Sequence, residues 1–306
     1  MIKRPQKILP KKENAILITG CDSGIGYSLA CYCHDIGITV FAGCLNTNSL
    51  GSSNLQKLQD VYVIELDVRN IQNIHSAAAI INNILKENSS IVLKTLVNNA
   101  GVMIFGEFAW QTAEHIEQQI NVNLIGAINV TNVFLSQIVQ NKGRIINICS
   151  HCSLQPLPGL SVYSASKAGL LAWSNALSIE LRKFQIPVIS LIPGSFPIQT
   201  NIFSKQKDYA DQMEKNMSKD NWNLYKDYFL EYNKYLINLG TPKLMKIQDR
   251  HLYDLFNDAL LNVKPDTFYC YWPRRFRIYN FLFKITPVTF RDRLVIKFVN
   301  MPEWKQ

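Results

Sequence analysis

Long hydrophobic runs are missing from this chain. No stretch of about 18 consecutive apolar residues occurs, the least that a bilayer-spanning helix needs, so a spanning segment is not expected. An internal repeat and a Pro/Ser-rich linker are also missing, so nothing divides the 306 residues into obvious parts. Acid is scarce beside base: 23 Asp and Glu stand against 32 Lys and Arg, for a net charge of +9. That balance suits nucleic acid, an anionic membrane or a merely basic surface. No nucleic-acid-binding motif is present, so no nucleic-acid partner is expected. The seven cysteines are an odd number, and no second Cys/His pair accompanies Cys149-Ser150-His151-Cys152 at zinc-ligand spacing. A metal is therefore not expected. Cys149, at the end of an apolar run, reads better as a small buried hydrophobe. Free thiols favour a reducing compartment.

What is present is alternation. Short β-rich apolar runs and helical patterns follow one another from residue 15 to about 192, which points to a single doubly wound parallel α/β sheet. The first run, Ala15 to Ile18, enters a turn containing Gly20, Gly24 and Gly26, and a helical pattern then opens at Ile25. Glycines between a strand and a helix let the backbone approach a pyrophosphate, and the helix N-terminus supplies free N–H groups. The competing reading is a structural turn. Residues 86–92 and 201–223 are the most polar stretches and read as surface loops or helix ends.

Tyr163 and Lys167 stand four apart, one turn from each other on a helix expected from Ser161 to Phe184. A phenol titrates near pH 10, and a neighbouring ammonium group favours the phenolate. The pair can thus serve proton transfer. Alone, this spacing also arises by chance. Leu170, Leu171, Trp173, Leu177 and Leu181 give the same helix an apolar face for core or subunit interface.

Thr19-Gly20-x-x-x-Gly24-x-Gly26 followed by Tyr163-x-x-x-Lys167 resembles the short-chain dehydrogenase/reductase family. Asn98-Asn99-Ala100-Gly101 after the run Leu93 to Val97, Asn123, Ser150 thirteen residues before Tyr163, and Pro193-Gly194 after Val188 to Ile192 match further family segments in order. Within the family, Thr19 to Gly26 and Val40 to Leu45 look like the branch of retinol dehydrogenases, 17β-hydroxysteroid dehydrogenases and D-3-hydroxybutyrate dehydrogenase. The last third of the chain matches no simple motif.

The resemblance implies a Rossmann-like sheet spanning residues 14–306 as one catalytic domain after a basic tail (1–13). It also implies a variable helical lid at about 200–250 and a basic, aromatic extension at about 270–306. It implies that Tyr163 exchanges a proton with the alcohol or carbonyl oxygen and that Lys167 lowers the tyrosine pKa and binds the nicotinamide ribose. Ser150 would hydrogen-bond the reacting oxygen, and Asn123 would hold a water in a proton relay. Thr19, Gly20, Ser23, Gly24, Ile25 and Gly26 would cradle the pyrophosphate. Asp67 and Val68 would contact adenine, with Asn99 and Gly101 on the adenosine side. Ile192, Pro193, Gly194 and Thr200 would line the nicotinamide. Asp67 also reads as a helix N-cap. A homodimer or homotetramer is implied. An N-terminal membrane anchor, which many retinol and steroid relatives carry, is not expected, nor is an organelle presequence. Cytoplasmic, reticulum-associated and mitochondrial placements all stay open.

NAD is preferred over NADP. The region Gly43-Cys44-Leu45-Asn46 lacks the acid that usually meets the ribose 2′-hydroxyl, but no cation waits there for a 2′-phosphate and Asp22 would repel one. Leu154, Leu157 and Leu160 suggest an apolar wall beside Ser150. Phe203, Tyr209, Met213, Met217, Trp222, Tyr225, Tyr228 and Phe229 either cover a greasy ligand or simply pack the lid. A lipophilic steroid- or retinoid-like alcohol is preferred. Hydroxybutyrate is the runner-up, with His151, Lys205 and Lys207 as the cations a carboxylate would need. A catalytically silent dinucleotide-binding protein is the alternative from another class. The basic aromatic C-terminus either lies on a membrane surface or packs over the substrate site or a subunit interface.

Overall fold

The computed structural model describes residues 6–196, 199–238, 246–299, 301–302 and 304. Seven parallel strands form one sheet: β1 (Asn14–Thr19), β2 (Val40–Cys44), β3 (Val61–Glu65), β4 (Val92–Asn98), β5 (Arg144–Ile148), β6 (Val188–Ile192) and β7 (Phe268–Cys270). Their spatial order is β3-β2-β1-β4-β5-β6-β7, so the chain reverses direction across the sheet between β1 and β4. In such sheets ligands sit at that switch point, beyond the strands' C-terminal ends.

Alternation of side chains sends each strand's residues to two covered faces. Ile16 and Ile18 pack with Leu29 of helix α1 (Gly24–Asp35) and with Leu252 and Phe256 of α9 (Arg250–Leu261). Ala15 and Leu17 pack on the other face with α3 (Ile71–Glu87), α5 (Ala127–Gln140) and α6 (Ser161–Glu180). A short α2 (Leu50–Leu55) follows β2. Arg144, buried at the start of β5, donates from Nη1 to the carbonyls of Ala259 (2.7 Å) and Asn262 (3.0 Å), satisfying the end of α9.

Helix α4 (Ala113–Ile120) runs through a π-helical turn, Asn121–Gly126, into α5. Over Ala113–Gln140 this continuous helix is long and apolar enough to cross a membrane, yet Val130, Phe134 and Ile138 pack on the sheet. Helix α3 starts where its pattern begins, but Asn70 caps it, accepting the Asn73 N–H. Asp67 is thus not the N-cap. Its carboxylate instead accepts the backbone N–H of Arg69 and pairs with that side chain at 2.7 Å.

The polar stretch 201–223 is largely helical, in α7 (Gln206–Asn216) and the start of α8 (Lys219–Ile237). The short edge strand β7 and helices α10 (Arg274–Ile285) and α11 (Val288–Val299) complete the described chain. At the other end, the Ile8 N–H donates to Leu261 and Lys7 pairs with Asp258 at 2.8 Å, so this part of the basic N-terminal stretch is strapped to α9.

Candidate active site

The loops after β1, β4, β5 and β6 meet along one edge of the sheet. After β1, Gly20 (φ 72°) and Gly24 (φ 60°) take the left-handed backbone that side chains resist. A Cβ on Gly26 would stand 2.2 Å from the Gly20 carbonyl oxygen and 2.5 Å from Asn99 Nδ2. The first turn of α1 carries no acid, and the Ser23 hydroxyl does not cap it, leaving its N–H groups facing the crevice. This cradle suits a pyrophosphate.

Thr19 and Asn99 fasten the β1 and β4 loops together. The Thr19 hydroxyl accepts the N–H groups of Asn99 (3.0 Å) and Ala100 (2.9 Å), and Asn99 Nδ2 donates to the carbonyls of Thr19 (2.8 Å) and Gly20 (3.2 Å). These two residues therefore shape the cradle from behind. Asp22 reaches across to the end of β2, where its carboxylate accepts the N–H groups of Leu45 (2.9 Å) and Asn46 (2.7 Å). The acid missing from the end of β2 is thus supplied from the glycine turn. Val68 is buried against Gly126. Pro193 is buried and Gly194 (φ 118°) packs on Tyr271, while Thr200 lies against Gly24 and not apart from the pyrophosphate cradle.

Tyr163 and Lys167 are both buried on α6, one turn apart. Lys167 Nζ donates to the Ile148 carbonyl at 2.9 Å. A Cβ on Gly101 would come within 3.5 Å of that nitrogen. Burial pushes the Tyr163 phenol above its ordinary value, the thiols of Cys152 and Cys149 push the same way, and hydrogen bonding from Ser150 pulls it back. Burial also lowers Lys167. Ser150 accepts the Cys152 N–H at 3.2 Å in a short turn at the end of β5. Ser150 thus stands within hydrogen-bonding reach of Tyr163 with Lys167 one turn along the helix, and desolvation is the dominant influence on the phenol.

Asn123 sits in the π-helical turn, a local widening that recurs at functional sites. Its Oδ1 accepts the Val102 N–H (2.7 Å), and its Nδ2 donates to the Val102 carbonyl (2.8 Å) and to Ser166 Oγ (2.9 Å). Both side-chain N–H bonds are occupied, so Asn123 clamps the loop after Gly101 and has no side-chain donor left for a water. Beneath it, Asn98, Asn147 and Ser174 form a buried ladder: Asn98 Nδ2 donates to Asn147 Oδ1 (2.8 Å), and Asn147 Nδ2 to Ser174 Oγ (2.7 Å). This ladder ties α6 to β4 and β5 and sets the height of Tyr163. Ser166 and Ser174 carried no signal in the sequence beyond lying on the inner side of that helix.

The family model for the short chain dehydrogenases matches residues 14–210, the segment that builds this edge. The chain belongs to the short-chain dehydrogenase family. It is therefore an oxidoreductase of the NAD(P)-dependent type that interconverts alcohols and carbonyl compounds. Rat estradiol 17-beta-dehydrogenase 2 is 32% identical over 280 residues, covering 87% of this chain and 70% of that protein. Mouse mitochondrial D-beta-hydroxybutyrate dehydrogenase is 36% identical over 200 residues, covering 64% of this chain and 58% of that protein. The chain thus spans less than two thirds of the latter relative's length. A short-chain dehydrogenase from Streptomyces avermitilis superposes with TM-score 0.54 at 29% identity, over 60% of this chain and 67% of that one.

Beyond the family segment, the lid aromatics resolve toward packing. Phe229 and Tyr232 of α8 are buried edge-on against Trp110, joined by Tyr225 and Tyr228, and Tyr209 and Met213 of α7 fill the same cluster. The apolar wall beside the short-chain dehydrogenase centre is built elsewhere. Tyr163 packs with Cys152, Leu160, Met103, Phe105 and Leu157. Leu157, Leu154 and His151 then face Trp272 and Phe276 across an apolar cleft. His151 Nε2 lies 2.9 Å from the Tyr271 carbonyl, with its ring 4.5 Å from Phe276 and 5.0 Å from Trp272. Burial lowers its pKa. Cys149 and Cys152 are buried thiols that desolvation holds protonated.

Proposed function

We propose that this chain interconverts a lipophilic alcohol, of the steroid or retinoid kind, and the corresponding ketone or aldehyde, with NAD as the preferred partner. The observation that carries this reading is the apolar surround of Tyr163, which packs with Leu160, Leu157, Met103 and Phe105 beside Ser150, together with the small apolar cleft that Leu157 lines with Trp272 and Phe276. A carboxylate substrate would need a cation there. Burial favours neutral His151, and Lys205 and Lys207 are exposed on the lid. That disfavours the hydroxybutyrate reading, despite the relative of that name.

When bound, a nicotinamide dinucleotide supplies the hydride chemistry. The chain supplies the rest. The uncapped N-terminus of α1 and the glycine turn hold the pyrophosphate, and Asp22 at the end of β2 favours a ribose hydroxyl over a phosphate. Tyr163 exchanges a proton with the reacting oxygen, and Ser150 holds that oxygen in place. Lys167 brings a positive charge one turn away, which opposes the desolvation that keeps the phenol protonated. Asn123 positions the loop on which Gly101 approaches Lys167. The outer face of α5, of the π-helical turn before it and of α6, including Ile125 and Ile179, is the proposed interface of a homodimer or homotetramer.

The test is turnover of estradiol, retinol and 3-hydroxybutyrate with NAD and with NADP, followed by the absorbance of the reduced nicotinamide. Turnover of a lipophilic alcohol with NAD, lost in Tyr163→Phe, supports the proposal. Turnover of hydroxybutyrate alone would overturn the substrate class. Binding of NADH without turnover of any of the three would point to the silent dinucleotide-binding alternative.

A further inference from the structure

Helix α10 has two faces of opposite fate. Its inner face carries Phe276, Tyr279 and Phe283, which pack on Phe298 of α11 at ring distances of 5.0, 4.8 and 6.1 Å, and Phe276 also meets His151. Its outer face carries Ile278, Phe281 and Ile285 at helical spacing, continued by Val288 after the turn. Each of these four is between 59% and 61% exposed, and none joins a hydrophobic cluster among the described residues. Arg274, Arg277 and Lys284 fall on the same stripe, and no ion pair among the described residues engages them.

Over α10 and α11 there are seven Lys and Arg against one acid, Asp292. A large apolar stripe flanked by cations, left open to water, is the pattern of a helix that lies in a membrane interface. Long cationic side chains extend to lipid phosphates while the apolar residues enter the acyl boundary. A second copy of this chain on the same face would bring like charge against like charge, which argues against self-association there.

We propose that the outer face of the α10–α11 hairpin docks on an anionic bilayer surface. Ile278, Phe281 and Ile285 enter the boundary between headgroups and acyl chains, and Arg274, Arg277 and Lys284 pair with lipid phosphates. The inner face of the same helix lines a small apolar cleft with Leu157, which itself packs on Tyr163, so docking sets that cleft beside the lipid. Delivery of a membrane-dissolved substrate rests on the lipophilic reading above; the docking itself does not.

The experiment is flotation of the full chain with vesicles of phosphatidylcholine alone or with about a third phosphatidylserine. The chain is expected to float with the anionic vesicles at least about tenfold more tightly, and less so at high salt. Arg274→Glu/Arg277→Glu/Lys284→Glu should weaken this about 100-fold, at roughly fivefold per cation. Ile278→Ser/Phe281→Ser/Ile285→Ser should lose at least about tenfold on the same anionic vesicles, through lost apolar insertion. Retained NADH binding checks that both variants fold. The proposal fails if the wild type floats equally on both vesicles or on neither, or if either variant floats like the wild type. It also fails if the apolar variant instead splits an oligomer that does not bind lipid. Stimulated turnover of a vesicle-dissolved sterol tests delivery separately: docking without stimulation would leave the membrane contact standing and remove delivery, while the substrate reading stands or falls on turnover itself.

Discussion

The two halves of the site are made from different materials. The cofactor side is made of backbone: Gly20, Gly24 and Gly26 shape it, and Thr19 and Asn99 bond main-chain groups. The proposed substrate side is made of side-chain volume: Leu157, Trp272 and Phe276 line a cleft that other apolar residues of similar size would also line. Backbone approach tolerates one residue type, whereas an apolar wall tolerates several. The first half therefore carries a strict pattern and the second does not. Between them stands Tyr163, whose chemistry is strict but whose surroundings are packing.

That comparison is sharpest at Tyr163 itself. Tyr163→Phe removes one hydroxyl and leaves both halves in place. We expect kcat/KM to fall about 10²- to 10⁴-fold, the usual worth of a positioned acid–base group, with NADH affinity unchanged by fluorescence titration. A loss of NADH affinity matching the loss of rate would merge the two halves and break the comparison. Next in size is Gly26→Ala. The new methyl group would lie 2.2 Å from the Gly20 carbonyl, so backbone must move. A loss of about 3 kcal/mol in unfolding free energy, together with weaker NADH binding, is expected from denaturant titration. Ordinary stability and binding in that variant would show that the cradle is less strict than its geometry.

The same contrast explains what the sequence disclosed. The strands Arg144–Ile148 and Val188–Ile192 are bounded as their apolar runs indicate, because both have a strand on each side and are buried at every position. The meeting of Ser150, Tyr163 and Lys167 was legible from spacing and resemblance. Strand β7 was not: three residues at a sheet edge leave no alternation to read. The π-helical turn around Asn123 was hidden because one widened turn hardly disturbs a helical pattern. Helix α7 read only as a surface loop or helix end within the expected lid, because its exposed side is strongly polar and its inward Tyr209 and Met213 are few. The two expectations for the C-terminus, packing over the substrate site or lying on a membrane, read as exclusive. In the structure the inner face of α10 packs on Phe298 and His151, and its outer face is open to water.

On the substrate side, effects should be smaller and confined to one ligand. Phe276→Ala trims the cleft without touching the cradle. We expect KM for a lipophilic alcohol to rise about tenfold, in line with roughly 1–2 kcal/mol for a half-buried aromatic ring, while NADH binding and kcat hold. A fall in kcat with KM unchanged would mean that the wall positions the reacting carbon, giving the volume-built half the strictness of the other.

The smallest effect concerns how the C-terminal side is fastened. His151 is held next to the Tyr271 carbonyl and between two rings, and burial depresses its pKa below the ordinary value near 6.5. A depressed folded value means that the neutral form is the one the fold favours. Its contribution to stability is therefore present above the unfolded value and is lost as pH falls through the folded one. His151→Phe keeps the ring contacts, removes the bond to Tyr271 and cannot titrate. At about pH 7.5 the variant should be less stable by about 1 kcal/mol, the worth of a hydrogen bond. As pH falls below about 6.5 the wild type should lose stability that the variant keeps, so their melting temperatures should converge. Amide exchange should then open first in β7 and α10, which His151 fastens, while β1 and β4 stay protected. Parallel melting curves across that range would show that the C-terminal side is held by its aromatic contacts alone.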